Sequence, residues 1–413
     1  MSFTPPYKRF LLQFGLLSVA VAGAAVALIL TVDPYGLYRL VERPGFNQIK
    51  PQLKRYQREI KTEMALAAGA DALIIGNSRA EIGFNPEHAA FAAGARSTYN
   101  LALAGSRTDS ARAQLDALRM HGMHPRKLVV GVEFLDFLVD PAAPARPSAP
   151  APVTDRLADL KWRLDSAFSI DSLVDALSTV RLQRLADPES MTARGFNPFF
   201  DYRKMAREEG YYPLFQQRAT DYAKRFVTRP HALHYANGQV AVDFEHLHSV
   251  LTGAAAAGAE IHIAIYPYHA QILAMFDEAA MMPAFEQWKE LMEAQVASVR
   301  AAHPGARITL WDFSGYMPYQ CEAIPAKGER KAATAWYWEA GHFKSALGDI
   351  MLDRMFATPQ ADAPDGFGVR LLTPAAAGDQ RERIARERAR CAASYPRLFE
   401  EAAALIANAR GPQ

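Results

Sequence analysis

An uncharged apolar run near the start of the chain limits what the rest can fold into. Residues 10–32 are 23 consecutive residues without a charge, and about 20 residues of helix cross the hydrocarbon core of a bilayer. Lys8 and Arg9 precede the run, and because basic flanks tend to stay on the cytoplasmic side, residues 1–9 are predicted to be cytoplasmic. A cleaved signal peptide is the alternative, but the run is longer than a usual signal core and residues 31–35 offer no small-x-small cleavage site. The sequence therefore predicts an uncleaved single-pass membrane anchor, with the remaining chain outside the cytoplasm.

Composition narrows the classes of partner and cofactor. The 413 residues carry 46 basic and 44 acidic side chains, a net charge of +2 without any basic tract, so no nucleic acid is expected as a partner. Half of the residues are hydrophobic, which is enough for a sizeable core. The two cysteines, Cys321 and Cys391, have no metal-binding spacing, and the sequence leaves open whether they form a disulfide. We expect no metal and no organic cofactor, since the two histidine pairs, His121/His124 and His246/His248, lack a convincing set of further ligands.

Residues 71–84 place a serine at a predicted corner between a strand and a helix. The apolar run 72–75 predicts a short strand, Gly76 ends it, and Ser78 follows where the chain turns toward a helix. Such a corner exposes a hydroxyl above the carboxyl end of the strand, and the N–H groups of the first helical turn point toward any oxyanion formed there. The alternative is an ordinary Gly-Asn-Ser turn without chemistry.

A carboxylate and an imidazole stand close together far downstream. Glu339 precedes His342 by three residues, so one turn can bring the carboxylate to one ring nitrogen while the other nitrogen faces outward as a base. Serine alone is a poor nucleophile and needs such a base. The sequence therefore predicts a catalytic set of Ser78, His342 and Glu339, in which Glu339 orients His342.

Taken together, the Gly-Asn-Ser corner and the Glu-x-x-His turn resemble the first and last blocks of the SGNH/GDSL hydrolase superfamily. Intervening stretches, among them Trp-Asp-Phe-Ser-Gly at residues 311–315, are similar to the envelope branch of that superfamily. The resemblance implies a membrane-anchored protein of the polysaccharide-acylation or D-alanyl-transfer type, held in the inner (cytoplasmic) membrane of a bacterium with its folded domain in the periplasm.

The oxyanion hole is where the chain departs from the family pattern. The third block of the family usually ends in an Asn whose amide donates to the oxyanion, whereas this chain has Glu133 and Asp136 there. In the resemblance, Gly105 falls on the second block, whose glycine supplies a backbone donor. The predicted oxyanion hole therefore rests on the N–H groups of Ser78 or Arg79 and of Gly105, helped by the Arg79 cation. The last block also differs, since its carboxylate is usually Asp rather than Glu.

Five strand-like runs alternate with helical segments, and polar groups stand at their carboxyl ends. This alternation predicts an α/β fold, a three-layer αβα sandwich with a flavodoxin-like parallel sheet. The runs are residues 72–75, 97–104, 127–139, 260–269 and 307–316. The domain is predicted at residues 50–140 and 240–358, with a Pro/Ala linker and a helical cap insertion at 141–239 and a C-terminal helix at 375–410.

Three further polar residues stand at or near predicted strands. In the fourth run the strand itself is expected to end at Pro267, which leaves His269 on the face where ligands bind in open α/β sheets, as a candidate substrate residue and a rival base. In the fifth run the strand is expected to end at Asp312, which could orient His342 instead of Glu339, bind substrate or cap a turn. Asn100 could offer its amide to substrate or bond to a neighbouring loop.

These features predict a serine enzyme acting on ester bonds outside the membrane. Ser78 would attack an ester carbonyl, and the acyl group would pass to water in an esterase or to a sugar hydroxyl in an O-acyltransferase. An anchored extracytoplasmic site suits a polysaccharide or other acylated envelope polymer, with a membrane acyltransferase as a further partner. The alternative is a catalytically silent scaffold that docks polysaccharide or such an acyltransferase, since function resides in the site and not in the fold.

Overall fold

The computed structural model describes residues 6–92, 94–146, 156–229, 231–356, 366–371 and 374–411. This part of the chain contains fourteen α-helices: α1 (Pro6–Val32), α2 (Gln57–Ala67), α3 (Ser78–Gly83), α4 (Thr108–Met120), α5 (Arg156–Phe168), α6 (Ile170–Leu182), α7 (Phe200–Glu209), α8 (Tyr211–Thr228), α9 (Val242–Ala256), α10 (Ala270–Glu278), α11 (Met282–Ala302), α12 (Ser345–Phe356), α13 (Pro374–Ser394) and α14 (Pro396–Arg410). The most apolar window within residues 7–32 of α1 has a mean hydropathy of 2.4, so this helix is long and apolar enough to span a membrane. Orientation and membrane type remain predictions.

The same described residues contain ten strands: β1 (Lys50–Pro51), β2 (Ala72–Ile75), β3 (Thr98–Asn100), β4 (Lys127–Val132), β5 (Ser190–Met191), β6 (Glu260–Ile265), β7 (Arg307–Asp312), β8 (Tyr337–Glu339), β9 (His342–Phe343) and β10 (Val369–Arg370). Six of them form one sheet in the spatial order β10-β7-β6-β4-β2-β3. All neighbours are parallel except β10, which lies antiparallel to β7 at the edge. The predicted mixed α/β fold with a mostly parallel sheet is therefore confirmed.

Helices cover both faces of this sheet. All four residues of β2 and five of the six residues of β6 are buried, which requires cover on both sides because successive side chains alternate. α9 packs beside α4 and α11, and it contacts β6. α12 packs on α3, and the Phe356 ring of α12 lies 4.5 Å from the His262 ring of β6. The parallel register brings the carboxyl ends of β2, β4 and β6 to one edge.

The chain divides into two compact units. The first unit comprises the described residues up to Met64 together with residues 156–193, and it contains α1, α5, α6 and the β1–β5 pair. Its apolar core joins Ile29 and Val32, at the end of α1, to Ala176 of α6. Residues 147–153 of the predicted Pro/Ala linker lie outside the described residues.

The second unit holds the six-stranded sheet, the β8–β9 hairpin, α3, α4 and helices α7 to α14. The segment 141–239, which we predicted as one cap insertion, is therefore divided between the units. α5 and α6 belong with α1 because their buried faces pack against its last turns, whereas α7 and α8 belong with the sheet.

The C-terminal region is two helices, not the single helix predicted at 375–410. Pro396 begins α14 directly after Tyr395, since proline fits the first turn of a helix but not its interior. A disulfide joins Cys391 of α13 to Cys321, in the loop after β7. α14 packs against α8 and α10.

Candidate active site

Ser78 is the first residue of α3, directly after the corner that follows β2. Gly76 forms the corner with φ +146°, and a Cβ there would come within 2.6 Å of the Tyr266 hydroxyl, so the turn requires glycine. Asn77 caps the helix, because its side-chain oxygen accepts a hydrogen bond from the Arg79 N–H at 3.1 Å. The corner thus holds the half-buried Ser78 at the carboxyl edge of the sheet.

The β8–β9 hairpin places a carboxylate opposite an imidazole. Glu339 and His342 are cross-strand neighbours. One oxygen of the buried Glu339 accepts a hydrogen bond from Nδ1 of His342, and the other accepts from the Gly341 N–H at 2.6 Å. Nε2 of His342 lies 2.8 Å from Oγ of Ser78. Because an ionised carboxylate only accepts, Nδ1 carries the ring proton and Nε2 is left to accept the Ser78 hydroxyl proton.

Close packing fixes α3 relative to this hairpin. A Cβ on Gly83, the last residue of α3, would overlap the ring of Phe343, the residue after His342. A Cβ on Gly348 of α12 would overlap the carbonyl oxygen of Gly83. The two glycines therefore let α3, β9 and α12 approach closely enough to bring Ser78 and His342 together.

Glu339 stays ionised although it is fully buried. Burial raises a carboxyl pKa, but the adjacent His342 and the Arg218 guanidinium outweigh that effect, and the pKa of Glu339 is lowered. Nε of Arg218 lies 3.3 Å from the carboxylate. Arg218 comes from α8 and also donates to the Tyr202 hydroxyl at 2.8 Å. The ionised carboxylate can stabilise a protonated His342 ring.

The groups of Arg79 that were predicted to stabilise the oxyanion have other hydrogen-bond partners. Its backbone N–H is occupied by the Asn77 side chain. Its guanidinium forms a buried ion pair with Glu133 and donates to the Gly341 carbonyl at 2.5 Å and to the Tyr222 hydroxyl at 3.0 Å. Since the buried charge of Glu133 needs a neighbouring cation, Arg79 points there and ties the turn of the hairpin to α3.

Gly105 lies in the exposed loop after β3, with φ +70°. This loop adjoins the corner, because the Ser106 hydroxyl lies 3.3 Å from the Gly76 carbonyl oxygen as well as bonding within its own loop. The N–H of Ser78, at the start of α3, is not used by the internal hydrogen bonds of that helix. The N–H groups of Ser78 and Gly105 stay predicted donors of the oxyanion hole.

His269 is not within reach of a substrate. It is fully buried, its Nε2 donates to the Glu322 carbonyl at 2.9 Å, and its Nδ1 accepts from the Gln271 N–H at 3.2 Å. Burial lowers the pKa of His269 to about 4, so the ring is neutral. It caps α10, and the sequence-based expectation of a rival base is corrected accordingly.

Asn100 and Asp312 are also committed elsewhere. The Asn100 amide donates to the carbonyl oxygens of Ala80 and Phe84, both at 2.9 Å, and so holds α3 on the sheet. The buried Asp312 pairs with Lys289 at 3.1 Å. Of Glu339 and Asp312, the two carboxylates predicted to orient His342, it is Glu339 that is hydrogen-bonded to the ring.

Comparison with known proteins finds no matching family model, no matching curated protein and no matching solved structure. The likeness to the SGNH/GDSL superfamily thus rests on the motifs quoted above. Within the described residues, no group of three or more His, Cys, Asp or Glu side chains could hold a metal ion.

Aromatic and cationic residues of the 194–228 region complete the surroundings and were not predicted individually. The Phe199 ring lies 5.4 Å from the His342 ring and is stacked on Tyr202 at 3.9 Å. Arg218 and Tyr222 of α8 reach Glu339 and Arg79, as described above. The sequence signal was the aromatic composition of this region, which is compatible with a sugar-binding cap but is more often that of a helical core.

Proposed function

We propose that this chain is a membrane-anchored serine esterase or O-acyltransferase of the SGNH/GDSL type, acting on acyl esters of an envelope polysaccharide or exopolysaccharide. One observation carries the proposal: the Ser78 hydroxyl is hydrogen-bonded to the His342 ring, and that ring is hydrogen-bonded to the Glu339 carboxylate. A hydroxyl, a base and a buried orienting carboxylate in that order are what nucleophilic acyl transfer requires.

The reaction would begin with attack of Ser78 Oγ on the ester carbonyl. Nε2 of His342 takes the hydroxyl proton and returns it to the departing alcohol oxygen as the carbon–oxygen ester bond breaks. This leaves the acyl group on Ser78. Water in an esterase, or a sugar hydroxyl in a transferase, then attacks the acyl carbon while His342 takes its proton. His342 returns that proton to Oγ of Ser78 as the bond between the acyl carbon and Oγ breaks. Glu339 holds the ring tautomer and balances the positive charge of the imidazolium.

Developing negative charge on the carbonyl oxygen would be met by the N–H groups of Ser78 and Gly105. Each well-placed donor in an oxyanion hole contributes about 10²–10³-fold in rate. Glu133 and Arg79 neutralise each other, so the Glu that stands in the block-three region brings no unpaired negative charge beside the oxyanion.

The fold is consistent with this proposal. The five parallel strands lie in the spatial order β3-β2-β4-β6-β7. Numbered from 1 to 5 along the chain, this is the order 2-1-3-4-5, which is typical of flavodoxin-like, doubly wound sheets. Ser78 follows β2 at its carboxyl end, where such sheets bind ligands. A membrane anchor at α1 would keep the site beside polymers that are exported from the cell.

The test is hydrolysis of a short-chain aryl ester by the full chain in detergent, beside Ser78→Ala, His342→Ala and the exposed control His121→Ala. We expect the wild type and the control to turn over and the two site variants to lose about a thousandfold or more. Equal rates of hydrolysis in all four proteins would reject the esterase. The transferase is tested with the same four proteins by acyl transfer from the aryl ester to an oligosaccharide acceptor. Equal rates in that assay would reject the transferase and favour a silent scaffold.

A further inference from the structure

A groove of about 320 Å³ lies beside the hairpin that carries His342. Four of its lining residues are cationic, and among the described residues that line it none is acidic. We call it the cationic groove and define it by its four cations and two aromatic residues: Arg203, Arg207, Arg330, Lys331, Tyr211 and Trp338. Four basic side chains therefore line one groove of a chain whose total charge is +2.

The groove is connected to the candidate catalytic residues through two ring contacts. Trp338 is the residue before Glu339, and its ring lies 6.2 Å from the Phe199 ring. The Phe199 ring in turn lies 5.4 Å from the His342 ring. The groove therefore lies two ring contacts away from the His342 ring, which bonds to Ser78.

The groove is held in shape by buried contacts. Gly210, between α7 and α8, has φ +85°, and a Cβ there would come 3.0 Å from the Cα of Arg330, so the loop backbone rests on the helix junction. The Lys344 ammonium lies 4.5 Å from the Tyr211 ring centre and 4.7 Å from that of Trp338. Lys344 also donates to the Tyr211 hydroxyl at 2.8 Å, which fixes both rings.

Extending the proposed function, on which it rests, we propose that the cationic groove binds carboxylate groups of an anionic, uronic-acid-type polysaccharide next to the ester that Ser78 attacks. Arginine guanidinium groups bind carboxylates with two parallel hydrogen bonds. Sugar rings pack their apolar faces on Trp and Tyr side chains. An open groove with both features suits a chain of charged sugars.

Binding can be tested without turnover, using full-length Ser78→Ala protein in detergent. We expect it to bind polygalacturonate and not neutral dextran, and a further Arg330→Gln/Lys331→Gln change to weaken polygalacturonate binding by at least about tenfold. The matched control Lys204→Gln/Lys327→Gln removes the same charge from exposed residues outside the groove and should stay within about twofold of the parent. Thermal unfolding establishes that each variant is folded.

Several outcomes would overturn the proposal: no binding of polygalacturonate, equal binding of dextran, an equal loss in the control variant, or tighter binding of anionic lipid vesicles through the same two residues. Aryl ester hydrolysis by the wild type is measured separately. Binding of polygalacturonate without hydrolysis of the aryl ester would reject the esterase and support the proposal for the groove. Hydrolysis without binding would support the esterase and reject the proposal for the groove.

A second observation concerns the first unit and is independent of the active site. Of the ten large apolar side chains that are exposed outside α1 among the described residues, six lie on the α5–α6 hairpin: Leu160, Leu164, Phe168, Ile170, Val174 and Leu177. They recur at three- and four-residue spacing, so each helix presents one apolar stripe. Trp162 and Ala176 on the same helices are buried, so the stripes are additional to the faces that form the core.

The hairpin is joined to the end of α1. Ala176 packs with Ile29 and Val32, and the Tyr35 hydroxyl, just after α1, donates to Asp175 at 2.6 Å. Because these contacts fall where the candidate membrane span ends, we infer that the apolar stripes of α5 and α6 lie in the bilayer interface beside α1. Amphipathic helices bind membranes in this way, with the apolar face against the acyl chains.

The test uses nitroxide labels on the full chain in lipid nanodiscs, since both native cysteines are in the disulfide. We expect labels at Phe168→Cys and Val174→Cys to collide several-fold more with oxygen than with an aqueous nickel chelate. The exposed control Asp171→Cys should show the reverse preference. Preference for nickel at all three sites would overturn the inference, and so would protection of positions 168 and 174 from both reagents, which would indicate a protein partner.

Discussion

Replacing Arg79 by methionine removes the cation that neutralises Glu133. The side chains of this pair are 5% and 4% exposed, and removing one partner of a buried ion pair costs about 3–5 kcal/mol. The donors to Gly341 and Tyr222 are lost as well, which adds about 1–3 kcal/mol. We therefore expect Arg79→Met to lower the free energy of unfolding by about 4 kcal/mol or more, measured by urea unfolding of the full chain in detergent.

The variant Arg79→Met/Glu133→Gln separates the charge from the hydrogen bonds. Glutamine keeps the shape of Glu133 without its charge, so the double variant should recover about half of the lost stability or more. Ester hydrolysis should stay low in both variants, because the turn at Gly341 has lost its link to α3. A cost of less than about 1 kcal/mol for Arg79→Met, or a double variant less stable than the single one, would refute this reasoning.

Three other predictions concern charge, pH and the disulfide. Glu339→Gln should lower kcat for an aryl ester by up to about 10⁴-fold because the ring tautomer is no longer enforced, and Glu339→Asp should lose less. The pKa of His269 is about 4 in the folded protein against an ordinary 6.5, so its contribution to stability is present above pH 6.5 and falls as the pH drops toward 4. Between pH 6.5 and 5 the loss should be about 2 kcal/mol in urea unfolding, a slope that His269→Gln lacks. Cys321→Ala/Cys391→Ala should cost about 4 kcal/mol, since the bridge closes a 70-residue separation; an unchanged unfolding curve would contradict this.

The sequence predicted the parts of the site that depend on local geometry. Glu339 and His342 meet because a hairpin places residues three apart opposite each other. Ser78 stands at the corner because an apolar run ending in glycine is sufficient to define a strand and its turn. The alternating pattern was also enough for a mostly parallel α/β sheet.

The parts that were not predicted depend on contacts between distant segments. Arg218 reaches Glu339 from α8, and Arg79 of α3 pairs with Glu133, the residue after β4. No local pattern specifies such a pairing, because it is set by how elements pack after they form. His269 shows the converse, since its place after a strand suggested function and its burial gave it a structural one.

Covalent labelling of Ser78 tests the central claim most directly, because it requires neither an acceptor nor a partner protein. The full chain is treated with a fluorophosphonate ester, and the modified residue is located by peptide mass spectrometry. An activated serine predicts a single adduct on Ser78 that is absent from Ser78→Ala and formed at least about a hundredfold more slowly in His342→Ala. Labelling of Ser78 at the same slow rate in the wild type and in His342→Ala would contradict the account, because His342 would then not act as a base.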